Sequence, residues 1–121
     1  MAKKILIFED DQEIIKILIQ DFLKKGYITL ISETFVEVID QVKAFSPDLI
    51  IMNNFIPPIG GIRATQLLKN DVDFMYTPII LSSYKRNVRD MKISCGADEY
   101  LLKPFGLQQL NKLILKYFDR R

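Results

Sequence analysis

Short, almost purely apolar runs alternate along this chain with longer stretches whose apolar residues recur at helical spacing. Lys4 to Phe8 reads as a short strand, and the helix predicted after it carries Ile14, Ile15, Leu18, Ile19 and Phe22 at helical spacing. Gly26 ends that helix after a lysine-rich last turn. Tyr27 to Ile31 is a second strand, and Thr34-x-x-Glu37 has the spacing of a capping box opening a helix with Val38, Ile39 and Val42 inward. Leu49 to Met52 is apolar throughout, as a central parallel strand covered on both faces should be. A loop with Pro57-Pro58 and Gly60-Gly61 precedes a helix with Ile62, Leu67 and Leu68. Pro78 opens a fourth strand at a place where no ladder donor is lost. A weak helix follows from about Asn87 to Ser94, then a fifth strand from Glu99 to Leu102. The last helix carries Leu107, Leu110, Leu113, Ile114, Tyr117 and Phe118.

Five strands alternating with five helices predict an α/β fold: an open parallel sheet with helices on both faces, because crossovers are right-handed and cover it. With 121 residues, 49% of them hydrophobic and no linker or repeat, residues 1–121 are expected to form a single domain. A net charge of +2 exerts no strong pull toward nucleic acid or membrane, and Lys116, Arg120 and Arg121 read as a solvated helix end. The single cysteine, Cys95, sits among small residues and reads as core. No apolar run approaches the ~20 residues of a membrane span, and the start lacks a signal peptide's apolar stretch. A cytoplasmic location is the expectation.

In sheets of this kind ligands bind at the carboxyl ends of the strands. Glu9, Asp10, Asn53, Ser83 and Lys103 all fall at or just past such ends, on separate loops. The acidic run Glu9-Asp10-Asp11 repels a phosphate unless a cation intervenes, and hard divalent ions such as Mg²⁺ prefer oxygen ligands of this type. No glycine-rich turn follows the first strand, which excludes a dinucleotide site. Asp11 reads as the cap of the first helix. Asp48, five residues before Asn53 on the same strand, lies about 16 Å away at the far edge of the sheet.

Taken together, the acidic pair, the end of the third strand, Ser83 and the run Gly96-Ala97-Asp98-Glu99-Tyr100-Leu101-Leu102-Lys103-Pro104-Phe105 resemble a response-regulator receiver domain from Lys4 to Phe118. The resemblance is to the stand-alone, chemotaxis type. It implies a flavodoxin-like sheet in strand order 2-1-3-4-5 and a cis Lys103-Pro104 peptide. It also implies a Mg²⁺ site built from Glu9, Asp10, position 53 and the Phe55 backbone carbonyl. Ser83 and Lys103 would hold phosphoryl oxygens, and Tyr100 would be the switch aromatic. Where the family's acceptor aspartate is expected, this chain has Asn53, and an amide is not a competent phosphoryl nucleophile. The Mg²⁺ site should therefore be weakened. Gly60 replaces an aspartate common in the family's loop, and Tyr84 stands where a small residue usually leaves room for donors.

The function expected is two-component signalling through contacts with proteins such as a sensor kinase or a downstream effector, without aspartyl phosphorylation and without enzymatic turnover. No nucleic-acid or membrane partner is expected, and no effector domain. The expected contact surface is the fourth helix, fifth strand and fifth helix, with Tyr100, Tyr84, Lys85 and Arg86, used as monomer or homodimer. Two alternatives stand beside this reading. One is a conventional phosphoaccepting regulator whose acceptor has been changed to asparagine. The other is a small phosphatase or phosphotransferase using Asp10 as nucleophile, although Gln12 stands where such enzymes carry a second aspartate.

Overall fold

A computed structural model describes residues 1–55 and 59–118. The elements run β1 (Lys4–Phe8), α1 (Gln12–Lys24), β2 (Ile28–Ser32), α2 (Val38–Phe45), β3 (Leu49–Asn53), α3 (Gly60–Lys69), β4 (Ile79–Ser83), α4 (Val88–Cys95), β5 (Glu99–Leu102) and α5 (Leu107–Phe118). The strands pair in parallel in the order β2-β1-β3-β4-β5. This is the flavodoxin-like receiver fold that the sequence led us to expect.

Alternation along each strand divides the core into two layers. Leu6, Phe8, Ile50, Met52, Ile79 and Leu81 face Val38, Val42, Ala64, Leu68, Val88 and Met91 of α2, α3 and α4. Ile5, Ile7, Ile51, Ile80 and Leu101 face Leu18, Phe22, Leu110 and Ile114 of α1 and α5. β3 and β4 are buried at every position, so their periodicity vanishes from the sequence, as happens when both faces are covered. Cys95 is buried in the first layer, and burial pushes its thiol pKa up, which leaves it an inert packing residue.

Asp11 caps α1 through its carboxylate, which accepts the Glu13 and Ile14 N–H groups. Gly26 takes the left-handed conformation (φ 77°) just past the helix. The Asp48 carboxylate accepts the Lys4 N–H at 2.8 Å, which ties it to the start of β1 at the opposite end of the sheet from the acidic loop.

One expectation fails. The Thr34-x-x-Glu37 capping box does not form. Glu37, itself the residue before the helix, is left-handed (φ 51°) and makes no side-chain cap bond. The Thr34 hydroxyl oxygen is already committed to the Val36 N–H two residues on, a local turn that competes with capping. The buried stripe of α1 runs through Ile15, Leu18 and Phe22, and Ile19 lies beside it, 39% exposed. Pro57-Pro58 and the terminal Arg120 and Arg121 lie outside the described residues.

Glu99, at the start of β5, accepts hydrogen bonds from the Lys116 ammonium (2.8 Å) and the Tyr117 hydroxyl (2.6 Å) of α5. Partial burial alone would raise its pKa; the two donors outweigh it and hold the carboxyl below its usual 4.5. A depressed carboxylate stabilises the fold above its unfolded pKa, and that contribution is lost as pH falls through the folded value. Glu99→Gln should therefore cost no more than about 1 kcal/mol at neutral pH, the scale of a surface ion pair. In urea unfolding the gap between variant and native protein should close once pH drops well below 4.5.

Candidate functional site

β1, β3, β4 and β5 end at the same rim, and each delivers one polar side chain into it. Glu9 follows β1, Asn53 ends β3, Ser83 ends β4 and Lys103 follows β5; all four are at least nine-tenths buried. Asp10, the next residue of the acidic loop, is exposed at the edge. Register fixes these positions: Met52 pairs with Phe8, and Asn53, one residue on, pairs with Ser82. The Lys103 N–H donates to the Ser83 carbonyl at 2.8 Å, which carries the β4–β5 ladder one step past the strand end. The Lys103-Pro104 peptide is cis, as expected.

Inside the rim the side chains satisfy one another. The Lys103 ammonium donates to Glu9 Oε1 at 2.8 Å and to Asn53 Oδ1 at 3.1 Å. Asn53 Nδ2 donates to Glu9 Oε2 at 3.1 Å and to Asp10 Oδ1 at 3.3 Å. Glu9 Oε2 also accepts the backbone N–H groups of Asp10 and Asp11, each at 3.1 Å. The amide orientation follows from this pattern. Turned over, it would set its oxygen against two carboxylates and its NH₂ against an ammonium. Glu9 and Lys103, with side chains each 2% exposed, form a one-to-one buried ion pair, and Asn53 links both to Asp10 without adding charge.

Around this network sit the other predicted residues. The Tyr84 ring, 62% exposed, lies with its centroid 5.2 Å from the Lys103 ammonium and flanks the rim. Ser83 Oγ accepts the Lys85 N–H at 3.1 Å. Phe55, two residues past Asn53, is exposed, with the Lys85 ammonium 5.9 Å from its ring centre. Tyr100 is 41% exposed on β5, pairs in register with Leu81, and stands outside the hydrogen-bonded network.

The residues do not fit a divalent cation as they are arranged. Among the described residues no three acidic, histidine or cysteine side chains converge as a metal site. Two carboxylates are present, but Glu9 spends both oxygens on N–H donors, and Asn53 points its NH₂, not its oxygen, at the acidic pair. The amide NH₂ thus occupies the space between the carboxylates that a cation would need, and supplies donor protons in place of positive charge.

Gly61 is a constraint that sequence reading missed. A Cβ there would lie 2.6 Å from the Asn53 carbonyl oxygen and 2.8 Å from the Asn54 Cα. The Gly61 N–H also donates to the Asn54 carbonyl at 2.9 Å. Only the absence of a side chain lets α3 start against the end of β3, so Gly61 sets where Asn53 sits. The Gly60-Gly61 pair was a signal for close backbone approach, but it read equally as an ordinary loop.

Residues 5–115 match the response regulator receiver domain family, and the chain belongs to it. It is 27% identical over 113 residues to the alkaline phosphatase synthesis transcriptional regulatory protein PhoP of Bacillus subtilis; the match covers 92% of this chain but only 46% of that protein. It is 28% identical over 120 residues to the polar-differentiation response regulator DivK of Brucella ovis, covering 97% of each. Among solved structures, a response regulator described as putative, from Chloroflexus aurantiacus, superposes with a TM-score of 0.90 at 22% identity, over 99% of this chain and 100% of that one. The receiver domain of the sensor histidine kinase PA1611 from Pseudomonas aeruginosa superposes with a TM-score of 0.82 at 21% identity, over 99% and 100%; its structure holds a magnesium ion coordinated in the active site cleft. At these identities the two structures speak for the fold.

Two substitutions check the network. Lys103→Met keeps the bulk but strands the Glu9 charge, and should cost roughly 3–5 kcal/mol in urea unfolding at neutral pH. Gly61→Ala should cost about 1–3 kcal/mol by overpacking. It should also shift the Asn53 side-chain amide resonances, since the displaced backbone is that of Asn53 and Asn54.

Proposed function

We propose that residues 1–121 are a single receiver domain of the stand-alone type that signals through protein contacts without aspartyl phosphorylation, with Asn53 at the phosphoacceptor position. One observation carries the reading: the Asn53 amide is bonded at both ends, Nδ2 to Glu9 and Asp10 and Oδ1 to Lys103. An amide nitrogen has no free lone pair for attack on phosphorus, and this one is also held as a donor. Ser83 is no substitute nucleophile in this reading: its hydroxyl oxygen accepts the Lys85 N–H, and among the described residues the hydroxyl donates to no base.

In this reading Ser83 and Lys103 keep the family's phosphoryl-facing positions without a phosphoryl group to hold. Mg²⁺, if taken up by Glu9, Asp10, Asn53 and the Phe55 carbonyl, binds weakly, since the amide must first turn and adds no charge. The protein acts as a binding module rather than an enzyme. A cytoplasmic site of action suits the free thiol of Cys95.

The contact surface we favour is α4, β5 and α5. Tyr100 and Leu102 (each 41% exposed) alternate with buried Leu101 on β5, while Ile93 of α4 (64%) and Leu115 of α5 (51%) are also exposed. That much apolar surface on neighbouring elements suits a protein partner, a sensor kinase or a downstream effector, met as monomer or homodimer. Near-complete mutual coverage with DivK supports a regulator of this size, and Tyr84 with Lys85 and Arg86 would border the same region.

Incubation with Mg²⁺ and acetyl phosphate tests the proposal directly by intact mass. The native chain should gain no phosphoryl group, and Asn53→Asp should gain one, because positioning and charge stabilisation are otherwise in place. Modification of the native chain at any carboxylate, Asp10 included, contradicts the reading. An inert Asn53→Asp would show that the rim has lost more than its nucleophile, with Tyr84→Ala the next variant to try.

A further inference from the structure

We propose that the open edge of β2 is a two-fold pairing surface for a second copy of this chain, joining two five-stranded sheets into one. Among the described residues β2 pairs only with β1, which makes it an edge strand of the sheet. Its N–H and C=O groups alternate between the two sides. The Ile28 N–H donates to the Lys3 carbonyl and the Ser32 carbonyl accepts the Glu9 N–H, so positions 28, 30 and 32 bond inward to β1. Thr29 and Ile31 then present their backbone donors and acceptors outward.

Edge strands of soluble proteins are commonly blunted by lysine, proline or a bulge. This one, Ile-Thr-Leu-Ile-Ser, has no charge and no proline, and its register with β1 is unbroken. On the face it shares with Leu6, Ile28 is 48% and Leu30 43% exposed, because the short α2 leaves them uncovered.

The strand is complementary to itself in one register. An antiparallel pair centred on Thr29 opposite Thr29 lets the two Thr29 backbones exchange both hydrogen bonds, and sets each Ile31 opposite Tyr27, whose carbonyl can accept the Ile31 N–H while its own N–H stays with the Phe22 carbonyl. It also sets Ile28 of each copy directly opposite Leu30 of the other, in the closer, non-bonded type of pair. The two-fold axis is normal to the sheet, so the four aliphatic side chains fall on one face as a continuous strip. The end carrying Lys24 and Lys25 in one copy meets the end carrying Glu33 in the other, all exposed. Centring on Leu30 instead would pair Thr29 with Ile31 on both sides but set Ile28 against Ser32 and move Glu33 away from Lys25, so it gives up the Ile28–Leu30 and charge matches. The surface is distinct from α4, β5 and α5, which lie toward the opposite edge of the sheet.

Sedimentation equilibrium on the whole chain decides the matter. The native protein should move with concentration from the chain mass toward twice that mass. Thr29→Pro removes a donor that β1 does not use and should leave the monomer's unfolding midpoint nearly unchanged. Leu30→Lys places a charge opposite Ile28 of the other copy at an exposed position and tests the same contact independently. Each should raise the dissociation constant at least about tenfold, equivalent to about 1.4 kcal/mol. A native chain that stays monomeric throughout overturns the proposal and leaves the edge to a strand of another protein. So does a dimer that survives both variants but is lost with Ile93→Asp.

Discussion

Everything at the rim depends on burying one negative and one positive side chain in contact. Glu9 and Lys103 arrive from opposite ends of the sequence, are almost fully buried, and meet at 2.8 Å. A buried pair of this kind is tolerable only when its remaining lone pairs and protons are matched. Here the match is supplied by two backbone N–H groups of the acidic loop and by both ends of the Asn53 amide. An aspartate at position 53 would add a third carboxylate beside Glu9 and Asp10 and remove the two donor protons that face them. A bound cation could offset that charge; the amide makes such an offset unnecessary.

The scaffold exists to hold this geometry. β1, β3 and β4 are buried on both faces, and the register between them sets the site, because a one-residue slip would carry Asn53 and Glu9 away from the rim. Gly61 lets α3 begin against the Asn53 and Asn54 backbone, and the Lys103–Ser83 backbone bond places the ammonium. The same parallel architecture has the cost that its two outer strands keep open edges. β5 carries the exposed aromatic Tyr100, and β2 carries an uncharged aliphatic run.

Much of this was legible in the sequence, for identifiable reasons. Apolar runs of strand length alternating with helical periodicities give the element order with little ambiguity, and the polar residues at strand ends mark the rim. The run from Gly96 to Phe105 gives Lys103 its place. What the chain did not announce depends on tertiary contact. Nothing local shows that Asn53 would bond at both ends, since the partners are 44, 43 and 50 residues away. The capping box was misread because Thr34 has a nearer donor in Val36, and spacing alone cannot rank two competing hydrogen bonds.

Urea unfolding of the native protein and of Asn53→Asp, each with and without Mg²⁺, tests most directly whether the amide replaces the cation. We predict that the native midpoint is nearly indifferent to Mg²⁺. The Asn53→Asp midpoint should be lower without metal and recover on its addition, since a ligand that binds only the folded state stabilises it by mass action. A native protein stabilised by Mg²⁺ as strongly as the variant would contradict the account.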